Sequence, residues 1–71
     1  MDLVYVDSSP IDQIGYDANV REIHVIFKQG DHYVYLDCTE EVWEQFLDAA
    51  SKGTFLNQEF RAKAYQFRKE A

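Results

Sequence analysis

The clearest pattern in the chain is the one-by-one alternation of side chains across residues 21–28. Ile23, Val25 and Phe27 fall on one face, whereas Glu22, His24, Ile26 and Lys28 fall on the other. This period of two predicts a β-strand with one face toward a core. Shorter runs rich in β-branched and aromatic residues predict further strands at about 3–7, 12–17 and 31–36.

The loop between the two central strands sets their register. A two-residue loop, Gln29-Gly30, would need a positive φ at Gln29, whereas a three-residue loop ending at Gly30 needs it only at the glycine. We favour the three-residue loop, which pairs Val25 with Tyr33. Tyr33 and Tyr35 then share the face of Val25, and a slip by one residue would move both to the opposite face.

A first helix is predicted at about residues 39–52. Either Asp37 or Thr39 can act as its N-cap, and Gly53 would end it as the residue after the last turn. Its apolar positions are Val42, Trp43, Phe46, Leu47 and Ala50.

A second helix is predicted at about residues 57–70, capped by Asn57 and with apolar residues about every four positions: Phe60, Ala64, Phe67 and Ala71. Together the elements predict one α+β domain spanning residues 1–71. It has a meander of three to four antiparallel strands, packed on one face by the two helices.

Composition narrows the class of protein. Hydrophobic residues make up 46% of the 71 residues, which indicates a folded domain rather than a disordered chain. Cys38 is the single cysteine, so an intramolecular disulfide or a multi-cysteine zinc site is excluded. No apolar run approaches the roughly 20 residues of a membrane span, and none resembles a secretory signal. We therefore expect a cytoplasmic protein with no membrane partner.

The charge is distributed unevenly. Residues 1–51 hold eleven acidic and two basic side chains, whereas residues 52–71 hold five basic and two acidic ones. Binding to a phosphate backbone depends on lysine and arginine, so a nucleic acid would be contacted mainly by the C-terminal segment. The candidate binding residues are Tyr33, Tyr35, Arg61, Lys63, Arg68 and Lys69. The tyrosines could stack on bases, although the favoured register places them toward the core.

The opposite face of the sheet is a second candidate surface. In the favoured register it carries the apolar residues Ile26, Val34 and Leu36 beside His24. We expect that this face either binds a partner or a second copy of the chain, or is covered by one of the chain's ends. The protein would accordingly be a monomer or a weak homodimer.

Signs of catalysis or cofactor binding are weak. His24 and His32 fall on one sheet face, but no further metal ligands stand at clear spacing. Ser8 and Ser9 precede a proline and read as a turn. Cys38 near a helix start could have a somewhat lowered thiol pKa, although a passive role is favoured. We predict no enzyme, no metal and no cofactor.

Three motifs run in the same order as those of a known family. They are Ser8-Ser9-x-Ile11-x-x-Ile14-Gly15-Tyr16-Asp17, then Gly30-x-x-Tyr33-x-Tyr35, then Ala49-x-Ser51-x-Gly53-x-Phe55-Leu56-Asn57. On these residues, from about Val6 to Arg61, the chain resembles the KTSC family. That family comprises small domains found alone in bacterial and phage proteins and at the C-terminus of some lysyl-tRNA synthetases.

The resemblance implies a binding module of uncharacterised role, for which RNA binding has been suggested from the synthetase association. An alternative is a protein-interaction or inhibitor factor of phage or mobile-element type that acts on a host protein through its acidic surface. The charge distribution leaves both open, since the acidic part favours the second and the basic C-terminal part favours the first.

Overall fold

A five-stranded antiparallel sheet forms one layer of the computed structural model, which describes residues 1–70. Its strands lie side by side in chain order: β1 (Leu3–Tyr5), β2 (Ile11–Asp17), β3 (Glu22–Phe27), β4 (His32–Tyr35) and β5 (Phe67–Glu70). Two helices connect β4 to β5: α1 (Glu40–Asp48) and α2 (Lys52–Phe55), which continues directly as a π-helix over Leu56–Arg61. The predicted α+β class is confirmed.

The central hairpin has the predicted loop and register. Gly30 has a φ of 108°, and its backbone N–H donates to the carbonyl oxygen of Phe27 at 2.9 Å. Val25 pairs with Tyr33 in consequence, and both tyrosines of β4 lie on the face that the helices cover. The positive φ falls where glycine stands, which is why this register is adopted.

The core lies between this face of the sheet and the helices. Phe46 from α1 and Leu56 and Phe60 from the second helical segment are all buried. They pack against the buried side chains on this face of the sheet, which are Ile11, Ile14, Ile23, Val25 and Tyr35. Leu47, predicted to lie on the buried stripe of α1, is instead 40% exposed, because the covered face of the helix is narrower and includes Phe46, with Val42 and Trp43 partly buried.

The first helix is shorter than predicted, and Gly53 does not end it. Thr39 is the N-cap, with its hydroxyl accepting the Val42 N–H at 3.2 Å. After Asp48 the chain becomes extended, and Ser51 caps α2. Gly53 therefore lies in the first turn of α2, where a Cβ would stand 3.3 Å from Cγ of Pro10. Its role is a close approach to the loop before β2.

The predicted second helix of residues 57–70 is wrong at both ends. Asn57 does not cap it but lies inside the helical segment, which begins earlier and ends at Arg61. Ala64 then takes a φ of 56°, which turns the chain, and Phe67–Glu70 pair with β4 as the fifth strand. A strand is favoured there because its alternate side chains, Phe67 and Lys69, reach the tyrosines of β4.

Candidate functional site

Tyr33 and Tyr35 lie on the same face of β4 but differ in exposure. Tyr35 is 2% exposed and stacks on Phe60, with ring centroids 4.6 Å apart. Burial raises the pKa of its hydroxyl, an effect that the positive charge of Arg61 opposes. Tyr33 is half-buried, and its ring lies parallel to that of Phe67 at a centroid distance of 5.2 Å. Tyr35 is thus a core residue, and Tyr33 is the more accessible of the two.

Strand β5 adds an aromatic and a basic side chain to this region. Phe67 is 54% exposed although it stacks on Tyr33. Nζ of Lys69 lies 5.9 Å from the centroid of the Tyr33 ring and 3.3 Å from a carboxylate oxygen of Asp31. The Tyr33–Phe67 pair is therefore an aromatic surface with a lysine beside it.

Two concave regions adjoin this pair, and both are lined by Tyr33 and Arg61. One, of about 310 Å³, lies on the Phe67 side and reaches Ala64. The other, of about 370 Å³, lies on the side of the β3–β4 loop and is lined also by Lys28. We call the two regions together the Tyr33–Arg61 groove. Arg61 is exposed, and its guanidinium donates to the neutral Asn57 side chain at 3.2 Å.

Lys63 and Arg68, two of the predicted binding residues, lie outside this groove. Lys63 is paired with Glu59 at 2.8 Å. Arg68 points to the opposite face of the sheet, where its guanidinium donates to both carboxylate oxygens of Glu22, at 2.7 and 3.0 Å, and to Glu70 at 2.9 Å. The four basic candidate residues do not lie together, because the prediction assumed one helix through residues that form a helix, a turn and a strand.

The outer face of the sheet offers less apolar surface than predicted. Val34 is completely buried there, and its cross-strand partner is Arg68. His24, Ile26 and Leu36 are each partly exposed. Val34 therefore cannot contribute to an interface, whereas the other three candidate residues remain accessible.

Cys38 is a core residue. Its side chain is fully buried, and burial raises the pKa of the thiol to about 12. Its Sγ lies 3.4 Å from the carbonyl oxygen of Tyr35, to which it can donate. The suggested lowering of the thiol pKa at a helix start is wrong, because α1 begins two residues later and the thiol faces the core.

Phe67 and Lys28 line the groove but were not predicted from the sequence. Phe67 had been assigned to the buried stripe of a helix. The last strand, Phe67–Glu70, has one apolar residue followed by three charged ones, so its sequence shows no apolar alternation that could have identified Phe67. Lys28 had been placed in the turn without a role.

The surface of α1 differs in charge from the groove. Its exposed side chains include Glu40, Glu41, Glu44 and Asp48. Within residues 1–70 none of these four carboxylates forms an ion pair, whereas Glu22, Asp31, Glu59 and Glu70 do. The protein therefore carries a patch of unpaired negative charge on α1 and a groove with basic side chains.

Comparisons with known proteins agree with the resemblance seen in the motifs. The family model described as the KTSC domain matches residues 7–65. An uncharacterised protein of Stutzerimonas stutzeri is 33% identical over 67 residues, 94% of each chain. A protein of Tsukamurella paurometabola is 36% identical over 52 residues, which cover 73% of this chain and 78% of that one.

A solved structure supports the same assignment. The crystal structure of a KTSC domain protein from Yersinia pestis superimposes with a TM-score of 0.89 at 35% sequence identity, covering 99% of this chain and 97% of that one. Within residues 1–70, no helix is long and apolar enough to cross a membrane. Sequence motifs, family model and fold lead to one assignment: this chain belongs to the KTSC domain family.

Proposed function

We propose that this domain is a non-enzymatic binding module that holds a short stretch of single-stranded RNA in the Tyr33–Arg61 groove. The observation that carries the proposal is the exposed Tyr33–Phe67 aromatic pair, which lies at the groove together with Arg61 and Lys28. The occurrence of KTSC domains on some lysyl-tRNA synthetases supports RNA rather than DNA.

An unpaired base can stack on the exposed side of Phe67. Stacking on an aromatic side chain contributes about 1–3 kcal/mol per base and tolerates any base, because every base has a π-face. Phe67 is itself supported by Tyr33, whose ring lies parallel to it within 5°. A ring held in this way loses little conformational freedom when a base stacks on it.

The basic side chains of the groove are placed to contact phosphates. Arg61 donates to the neutral side chain of Asn57, and within the described residues neither Arg61 nor Lys28 forms an ion pair. Lys69 also forms an ion pair with Asp31, which reduces the positive charge that it can offer to a phosphate. A net charge of −6 works against polyanions in general, so we expect a weak complex of two or three phosphate contacts that dissociates as salt is raised.

The test is fluorescence anisotropy with a labelled single-stranded RNA at ~50 mM salt, where phosphate contacts are strongest. Phe67→Ala should weaken binding by roughly 5- to 150-fold, the equivalent of one lost stacked base. Arg61→Gln should weaken it and reduce its dependence on salt by about one phosphate contact. Lys63→Gln is the matched control, since Lys63 lies outside the groove, and should bind RNA much like the wild type.

Two outcomes would remove the RNA proposal. One is the absence of binding at ~50 mM salt. The other is binding that Phe67→Ala and Arg61→Gln leave unchanged. A duplex RNA of the same sequence should bind less well, because its bases are already stacked on one another.

The unpaired acidic face of α1 favours a second candidate. Glu40, Glu41, Glu44 and Asp48 could contact a basic protein surface, including one that otherwise binds nucleic acid. Reversing charge with Glu41→Lys and Glu44→Lys should then abolish association with such a partner, while Arg61→Gln leaves it intact. The opposite ranking of the two sets of variants would favour the groove.

A further inference from the structure

Two imidazole rings meet on the outer face of the sheet, away from the groove. His24 in β3 pairs with Val34, and His32 in β4 pairs with Ile26, so the two histidines are diagonal neighbours. Nδ1 of His24 lies 2.8 Å from Nε2 of His32, and the ring planes are inclined by 52°. Both residues are partly exposed. The hydrogen bond between the rings requires one nitrogen to donate and the other to accept.

We propose that His24 and His32 form a two-histidine binding site for a divalent transition-metal ion of the zinc, nickel and copper class. Neutral imidazole suits these ions, which bind its nitrogen at about 2.0–2.1 Å. Two such nitrogens stand about 2.9 Å apart when they occupy adjacent positions at right angles on the ion, and about 3.3 Å apart in a tetrahedral arrangement.

The observed separation of 2.8 Å therefore matches the first arrangement and is about 0.5 Å short of the second. Zinc prefers the tetrahedral arrangement, so the two nitrogens must move apart by about that amount to bind it. In the hydrogen-bonded pair the two nitrogens face each other, whereas an ion requires their lone pairs to converge on a point beside the line that joins them. Rotation of the rings about their side-chain torsions supplies this change. The paired backbones of β3 and β4 need not move.

The surrounding charges favour a cation. Glu22 lies two residues before His24 on the same face, and Glu70 is the cross-strand partner of His32. Arg68 binds both carboxylates, so these three side chains together carry one negative charge. No cluster of three or more potential metal ligands occurs in residues 1–70, so the remaining positions would be filled by water. We therefore expect an exchangeable ion at this site rather than a structural one.

Isothermal titration of the protein with zinc chloride at neutral pH tests the proposal. We expect one zinc ion per chain, and His24→Gln or His32→Gln should each weaken binding at least about tenfold by removing one of two protein ligands. Glu44→Gln on α1 is the control for attraction by surface carboxylates and should leave zinc binding unchanged. Magnesium, which prefers oxygen ligands, should not compete.

Nuclear magnetic resonance of the wild-type protein provides a readout that does not depend on the variants folding. Zinc should shift the ring signals of His24 and His32 together and at the same concentration. The proposal is overturned if these signals do not move by ~1 mM zinc, the limit of weak binding. It is also overturned if magnesium displaces the zinc or if the histidine variants bind zinc as the wild type does.

Discussion

A partly buried hydrogen bond at the turn before β5 should stabilise the last strand. The Tyr65 hydroxyl donates to a carboxylate oxygen of Glu59 at 2.6 Å, and Nζ of Lys63 lies 2.8 Å from the other oxygen. Glu59 is only 9% exposed. Tyr65→Phe removes this hydrogen bond and keeps the ring, which packs edge-on against Phe60 at 5.0 Å.

The size of the effect follows from the charge on the acceptor. A hydrogen bond to a charged group contributes about 1.5–3 kcal/mol. Glu59 keeps its ion pair with Lys63 in the variant, so the lower value of about 1.5 kcal/mol applies. For a domain of 60–100 residues this lowers the melting temperature by roughly 6–12 °C. Tyr5→Phe, at a tyrosine 78% exposed, is the control and should leave the melting temperature unchanged.

Urea unfolding of Tyr65→Phe, Glu59→Gln and the double variant measures the coupling between the two side chains, expected at about 1 kcal/mol or more. Hydrogen exchange should also show faster exchange of the backbone amides of β5 in Tyr65→Phe. Additive effects of the two substitutions, or β5 amides that stay as protected as in the wild type, would refute the account of the turn.

The same contact gives a dependence on pH. Hydrogen bonds from Lys63 and Tyr65 lower the pKa of Glu59 below 4.5, and burial opposes them. A carboxyl group whose pKa is lowered in the folded state stabilises the protein above its unfolded pKa, and that contribution is lost as the pH falls through the folded value. The difference in the free energy of unfolding between wild type and Glu59→Gln should therefore be largest at neutral pH and decrease below about pH 4.

Three further substitutions and one chemical treatment test other parts of the fold. A Cβ added at Gly30 would meet no atom within 4 Å, so only the φ of 108° disfavours alanine there. Gly30→Ala should therefore lower stability in thermal unfolding by about 1–2 kcal/mol. Val34→Lys should lower the free energy of unfolding by several kcal/mol, because it buries a charge, and a stable Val34→Lys variant would contradict the buried position. Ile26 is partly exposed, so Ile26→Lys should stay folded and should sediment as a monomer. Iodoacetamide should modify Cys38 only as fast as the protein unfolds, and rapid labelling of the native protein would show that the thiol is accessible.

The central hairpin could be predicted because its determinants are local. Alternation along β3 and one glycine at Gly30 were sufficient to choose the register, and the structure confirms the pairing of Val25 with Tyr33. The fifth strand could not be found in the same way, because its partner β4 lies more than 30 residues earlier. Phe60, Ala64 and Phe67 are spaced as on a helix, and local spacing carries no information about that distant pairing.

The candidate site could be predicted only in part, because it also depends on the distant pairing of β5 with β4. Tyr33, Arg61 and Lys69 do come together, although Lys69 reaches Tyr33 across two strands rather than along a helix. Lys63 and Arg68 were misplaced because Lys63 lies in a turn and Arg68 in a strand, rather than both on one helix. An error in one element thus changed where two of the four basic residues lie.

Strand β5 is the physical link between the groove and the outer face. Phe67 and Lys69 contact Tyr33 on the helix side, whereas Arg68 binds Glu22 and Glu70 on the histidine side. Because successive side chains of a strand point to opposite faces, displacement of β5 would alter both faces together. Loosening β5 with Tyr65→Phe should therefore weaken both RNA and zinc binding, while Tyr5→Phe, at an exposed tyrosine, should affect neither. If only one of the two ligands responds to Tyr65→Phe, its site does not depend on β5 in the way that the contacts indicate.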